Sequence, residues 1–179
     1  MVRIGVLALQ GAFALHASAI ERLGYASVLV RSSSELDRID GLVLPGGEST
    51  VQLELAQRLG LDEALRRALA RVPVLATCAG LILAARAVTG GQRSYGALDV
   101  VVERNAWGRQ LDSFEAASDR GRALVFVRAP RIAEVGPAAS VLDTYAGEPV
   151  LVRSGRVTGA TFHPELTDDL EIHRTAFAP

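Results

Sequence analysis

The sequence predicts an α/β fold: a doubly wound, mostly parallel sheet with a β-rich second half, formed as a single domain over residues 1–179. Two observations carry this. Through the first half, short apolar runs fit for strands buried on both faces alternate with segments of helical spacing. Each parallel connection needs such a crossover, so strand–helix alternation is the mark of a parallel sheet. Beyond residue 90 the pattern changes to short β-runs separated by turns, with no linker, repeat or low-complexity segment between the halves.

Residues 2–9 read as the first buried strand, broken by Gln10-Gly11. Residues 12–23 carry Phe13, Ala17, Ile20 and Leu23 at helical spacing, and Gly24 supplies a stop. Residues 27–30 form a second strand, Ser32-Ser33-Ser34-Glu35 opens a brief helix, and residues 40–44 form a third strand. That strand ends at Pro45-Gly46-Gly47-Glu48-Ser49-Thr50. The pattern is helical over 49–59, with Ser49 as N-cap and Gln52 three positions on as a capping box. It is helical again over 61–71, with Leu61, Leu65 and Leu69 on one face.

Residues 72–77 form a strand that turns at Thr77-Cys78-Ala79-Gly80 into an Ala/Leu-rich helix reaching Ala85. Residues 90–94 are a loop, and strands are expected at 98–102, 110–114, 123–127, 131–135, 140–144, 149–153 and 157–162. Glu148-Pro149 and Ser154-Gly155 read as turns, the latter of a hairpin. Residues 170–179 form a short terminal helix.

Composition narrows the function classes. Apolar residues make up 49% and charged residues 22%, as in a globular domain. A formal net charge of −1 gives no electrostatic reason to expect nucleic acid or an anionic membrane surface. One cysteine excludes an intrachain disulfide and fits a reducing compartment. There is no signal-peptide pattern and no charge-free apolar run of transmembrane length, so a soluble, cytoplasmic protein is expected.

The chemistry gathers where the strands end, because ligands of such sheets bind beyond the carboxyl ends of the strands. That places Gln10, Gly46-Gly47-Glu48 and Cys78 on one edge. A sharp strand-to-helix turn lifts Cys78 out of the sheet and aims it at the first N–H groups of the helix, beginning with Ala79. A helix N-terminus favours the thiolate. Taken alone, the same stretch also fits a packed core thiol.

Thr161-Phe162-His163-Pro164-Glu165 supplies a base and a carboxylate at a second strand end. A histidine beside a cysteine takes its proton, and a carboxylate behind the ring fixes the tautomer. The other histidines, His16 and His173, are expected to be solvated or interfacial. Pro45-Gly46-Gly47-Glu48-Ser49-Thr50 lacks the Gly-Lys-Ser/Thr ending of a P-loop, but its backbone N–H groups suit an oxyanion.

With Ile4-Gly5-Val6-Leu7-Ala8-Leu9-Gln10-Gly11, Val101-Val102-Glu103-Arg104-Asn105 and Gly108-Arg109-Gln110-Leu111-Asp112-Ser113-Phe114-Glu115, these motifs resemble a class I, triad-type glutamine amidotransferase. Within that superfamily the sequence resembles the glutaminase subunit of pyridoxal 5'-phosphate synthase, over nearly the whole chain. The resemblance implies Cys78 as nucleophile, His163 as base and then acid, and Glu165 as orienting carboxylate. It implies Gly47, Glu48, Ser49, Arg104, Val127 and Arg128 as the glutamine site. Gly46, Gly47, Ala79 and Gln10 are assigned to the oxyanion donors and their gating.

L-glutamine and a synthase subunit are the implied partners, with no cofactor and no metal. Charged Glu103, Arg109, Asp112 and Glu115 are read as solvated faces. One departure from the family is Ala76, which stands where glycine usually precedes the Thr of the elbow. The alternatives are the glutaminase subunit of another amidotransferase, such as imidazole glycerol phosphate synthase, or a catalytically inactive glutamine-binding regulator.

Overall fold

The computed structural model describes residues 1–104 and 113–178. In chain order the elements begin β1 (Arg3–Leu7), α1 (Phe13–Arg22), β2 (Ala26–Val30), α2 (Ser33–Leu36), β3 (Gly41–Leu44), α3 (Ser49–Arg58) and α4 (Asp62–Arg71). They continue β4 (Val74–Thr77), α5 (Ala79–Ala84), β5 (Ala85–Val88), β6 (Leu98–Glu103), β7 (Phe114–Ala117), β8 (Ala123–Phe126) and β9 (Arg131–Val135). The last are β10 (Ser140–Tyr145), β11 (Glu148–Ser154), β12 (Val157–Ala160), a 3-10 turn (Pro164–Leu166) and α6 (Glu171–Phe177).

A seven-stranded sheet, ordered β10-β11-β12-β4-β3-β1-β2, forms the centre. From β2 to β12 every pairing is parallel, and β11 and β10 add an antiparallel edge. Side chains alternate across it with period two. Leu42, Leu44, Val74 and Ala76 face one apolar core, completed by residues of α2 to α5 and the three-stranded sheet β5-β6-β9. Ile4, Val6, Val43 and Leu75 face the other, covered by α1, α6 and the β7–β8 hairpin, where Phe114 stacks on Phe126 at 4.7 Å between centroids. Two covered faces are what the uninterrupted apolar strands require.

Several expectations shift. The helix after Cys78 stops at Ala84, and Ala85–Val88 pairs with β6 as a strand. The β10–β11 turn is Ala146-Gly147, both at positive φ, so Glu148-Pro149 opens β11 instead of forming the turn. Pro149 is tolerated there near the start of a strand. Of the strand expected at 110–114, residues 110–112 lie outside the described residues, and Phe114 opens β7. The capping box expected at Ser49 is absent: Glu48 is the N-cap of α3. Gln52 donates instead from Nε2 to the carbonyl oxygens of Gln10 (2.9 Å) and Pro45 (3.2 Å), tying two strand-end loops together.

The elbow follows β4 directly. Cys78 has φ 47° and ψ −105°, a backbone state a non-glycine residue rarely holds. Its N–H donates to the Ala160 carbonyl at 2.9 Å, so the end of β12 fixes the turn. A Cβ on Gly80 would strike the Leu44 carbonyl, which is rigid backbone of β3. Ala76, one step before Thr77, sits fully buried in extended β4 opposite Gly159. The strain is at Cys78, two residues on, so a methyl group at Ala76 costs the turn nothing.

Gly80→Ala is therefore expected to destabilise the chain by about 1–3 kcal/mol and lower Tm by about 4–10 °C. A thermal melt checks this, and an unchanged Tm would contradict the close approach to Leu44.

Candidate active site

The loops after β1, β3 and β4, the residues after β12 and the loop after β8 meet in one cleft. Gln10, Gly46, Gly47 and Glu48 line one side of it, and Cys78, Ala79 and His163 its floor. Arg104, Val127 and Arg128 close the remaining side. Ser49 is brought near but does not line the cleft. It is buried, and its hydroxyl lies 3.0 Å from Gln92 Nε2. Asn105, Arg109 and Asp112 lie outside the described residues. Glu115 is exposed on β7, as expected of a solvated face.

His163 follows β12, the parallel neighbour of β4, which sets it beside the elbow. Its Nδ1 lies 2.6 Å from Glu165 Oε1, and Pro164 at the start of the 3-10 turn holds the two side chains in that relation. A carboxylate accepts only, so Nδ1 carries the proton and Nε2 is left for the cysteine. Burial alone would pull the His163 imidazole down. Cys78 and Glu165 outweigh it and raise its pKa to about 10. Glu165 is opposed by burial too, but His16 and His163 hold its carboxyl far below the usual range.

Neighbouring backbone places the rest. The His163 N–H donates to the Val125 carbonyl at 2.9 Å, which docks the end of β8 on the site. Cys78 Sγ then lies 3.8 Å from the Val127 carbonyl, a weak contact. Arg128, the next residue, holds φ 43°, a second strained non-glycine residue facing the cleft. Arg104 pairs with Glu48 at 3.6 Å, so a cation and an anion share the rim.

Gly46 packs against the His163 ring so closely that a Cβ would overlap Cε1. The Gly46 carbonyl accepts from the Ala12 N–H at 3.0 Å, and the Glu48 N–H donates to Gln10 Oε1 at 2.7 Å. The glycine loop is thus clamped to the loop after β1. Among the described residues no cluster of His, Cys, Asp and Glu could hold a metal ion.

His16 and His173 depart from expectation: both are fully buried. His16 Nε2 lies 3.2 Å from Glu165 Oε2 and 3.1 Å from Thr77 Oγ1, and its Nδ1 lies 2.9 Å from His173 Nε2. Burial, then His16, lowers the His173 pKa to about 4, so it is neutral at pH 7. The signal was present in the spacing. Phe13, His16, Ala17 and Ile20 fall at i, i+3, i+4 and i+7, the inward face of α1.

A doubly wound sheet with a cysteine elbow, a histidine–carboxylate pair and a glycine loop in one cleft defines the class of cysteine-dependent amidotransferases. The chain belongs to the SNO glutamine amidotransferase family, whose model matches residues 6–177. It is similar to the pyridoxal 5'-phosphate synthase subunit PdxT of Thermotoga maritima, 46% identical over 97% of this chain and 96% of the relative. It is 48% identical to the PdxT of Koribacter versatilis over 96% and 92% of the two chains. A solved glutamine amidotransferase superposes with a TM-score of 0.90 at 40% identity, covering 97% of this chain and 96% of that one.

A group whose folded pKa is depressed stabilises the fold above its unfolded value and loses that contribution as pH falls. Glu165, ordinarily at 4.5, is such a group. The gap in Tm between this chain and Glu165→Gln is expected to be widest above about pH 5 and to narrow on acidification toward about pH 3. Melts across that range check it; a gap independent of pH would mean that the carboxylate charge is not what stabilises.

Proposed function

We propose that the chain hydrolyses L-glutamine to L-glutamate and ammonia through a γ-glutamyl thioester on Cys78, and delivers the ammonia to a pyridoxal 5'-phosphate synthase subunit. The observation that carries this is the 2.6 Å His163–Glu165 contact in the same cleft as the strained Cys78. Membership of a glutamine amidotransferase family supports the substrate, and the PdxT relatives support the destination of the ammonia. They favour it over the imidazole glycerol phosphate branch.

Cys78 Sγ gives its proton to His163 Nε2 and attacks the carboxamide carbon. The oxyanion that forms takes N–H groups from Ala79 and from the Gly46-Gly47 peptide. As the C–N bond breaks, His163 returns the proton to the leaving nitrogen, which departs as ammonia. Water then attacks the thioester, His163 accepts its proton, and glutamate leaves. Glu165 holds the ring and stabilises its charged form. Arg104 and Arg128 suit the α-carboxylate of glutamine, and Glu48 its ammonium. Val127 and Gly47 shape the space between them, and Ser49 contributes through the position of the loop.

A cytoplasmic location is part of this reading, and a single free cysteine is compatible with a reducing compartment. No helix among the described residues is long and apolar enough to cross a membrane.

Cys78→Ser is expected to abolish glutamine hydrolysis while the complex still makes product from added ammonia, because an alkoxide forms far less readily than a thiolate. Glutamate release assayed beside ammonia-fed synthesis checks it. Hydrolysis retained by the serine variant would remove Cys78 as nucleophile.

Gating follows from the clamp between the two loops. Turning the Gly46–Gly47 peptide toward an oxyanion breaks the Ala12–Gly46 bond, and a partner docked on Gln10-Gly11-Ala12 is placed to do so. The isolated chain is expected to release glutamate at least about a hundred-fold more slowly than the chain with its synthase subunit, one oxyanion donor's worth of stabilisation. Equal turnover in the two samples would refute gating and leave the nucleophile assignment standing.

A further inference from the structure

We propose that His16 is a positioning residue for the glutaminase reaction, acting through Glu165, and that His173 sets its tautomer. This rests on the triad reading above and extends it by two residues.

Four side chains from four parts of the chain form one buried polar row behind His163. Glu165 offers one oxygen, Oε1, to His163 Nδ1 at 2.6 Å and turns the other, Oε2, to His16 Nε2 at 3.2 Å. Thr77, one residue before Cys78, places its hydroxyl 3.1 Å from the same nitrogen. His173 Nε2 lies 2.9 Å from His16 Nδ1. His16, Thr77 and His173 expose no surface, and Glu165 is buried.

The proton positions follow from the donor inventory. His16 Nε2 sits between two oxygens, hydrogen-bonded to Thr77 Oγ1 and facing Glu165 Oε2; the carboxylate only accepts, so this nitrogen carries the hydrogen. His16 Nδ1 is then the acceptor, and neutral His173 supplies the hydrogen from its Nε2. The row reads His173 to His16 to Glu165, with His163 donating to Glu165 from the other side. A free carboxylate oxygen in that pocket would rotate toward any donor and take the His163 ring with it. His16 limits that freedom by facing Oε2 at 3.2 Å, as outer partners of a histidine-orienting carboxylate do at metal sites. None of these atoms meets glutamine, so the effect falls on turnover and not on substrate binding.

Two substitutions separate the halves of the role. The side-chain nitrogen of glutamine, a donor, lies as many bonds from Cα as imidazole Nε2, and the side-chain oxygen of asparagine, an acceptor, as many as Nδ1. His16→Gln therefore keeps a donor for Glu165, whereas His16→Asn keeps only the His173 side. Both variants are assayed for glutamate release from L-glutamine with the synthase subunit present, and proton NMR follows the downfield His163 Nδ1 hydrogen, identified by its loss in Glu165→Gln.

His16→Asn is expected to lower kcat about ten-fold or more with KM within about two-fold, as loss of a polar contact to a buried carboxylate predicts. The downfield resonance should move or broaden. His16→Gln should return kcat to within about three-fold of the parent and restore the resonance. A purely structural histidine would lower Tm in both variants without the kcat–KM split or the rescue.

An asparagine variant matching the parent in kcat and resonance, or a folded glutamine variant lacking both, overturns the proposal. If His16→Asn does not fold, the glutamine variant decides by the same criterion. If the parent itself releases no glutamate with the synthase subunit, the triad reading falls, and the resonance in the two variants still decides whether His16 positions the ring.

Discussion

The backbone of Cys78 is the constraint around which the molecule is arranged. A non-glycine residue at φ 47° and ψ −105° costs on the order of 1–3 kcal/mol and persists only where its surroundings leave no alternative. Here the surroundings are explicit. The end of β12 accepts the Cys78 N–H, and the Cys78 carbonyl accepts from Ile82 at 3.3 Å in the first turn of α5. Gly80 leaves room for β3 to pass. Strands on both sides of β4 are thereby committed, and with them the loops that bring the glycine turn and His163 to the same edge of the sheet.

The second organising feature is a set of polar groups buried against the grain of the hydrophobic core. Each would be costly alone, since an unpaired buried polar group loses its water without compensation. Together His163, Glu165, His16, Thr77 and His173 satisfy most of one another's donors and acceptors. Burial favours their neutral forms, whereas the contacts favour a charged Glu165 and a protonated His163, and the contacts prevail for both. His173, with His16 as its nearest neighbour, goes the other way and stays neutral. One carboxylate therefore links two imidazoles, His163 through Oε1 and His16 through Oε2.

Much of this was legible in the residues. The parallel sheet follows from apolar runs such as Ile4 to Leu7 and Leu42 to Leu44, and the elbow from Thr77-Cys78-Ala79-Gly80 between a strand and a helix pattern. What escaped was set by tertiary context. Ala85–Val88 reads as more of the same Ala-rich helix, and only its pairing with β6 makes it a strand. Ser49 looks like an N-cap because Gln52 stands three residues on, yet Gln52 is drawn instead to two carbonyls of other loops. His173 gave no local sign, because its partner lies at the far end of the chain. Arg128 was reached only through the family resemblance, and its positive φ had no local sign in the residues.

That separation has a consequence for how the enzyme comes into being. His16 and His173 stand 157 residues apart, and the contact between them closes only when the last helix docks on the first. Contacts of such long range are made late, after the entropy of closing the intervening chain has been met. During synthesis Cys78 leaves the ribosome well before β12 and α6, and the strained turn lacks the Ala160 carbonyl that fixes it until β12 has been made. The strained turn and the polar row behind it are therefore completed together, by the same late-made elements β12 and α6.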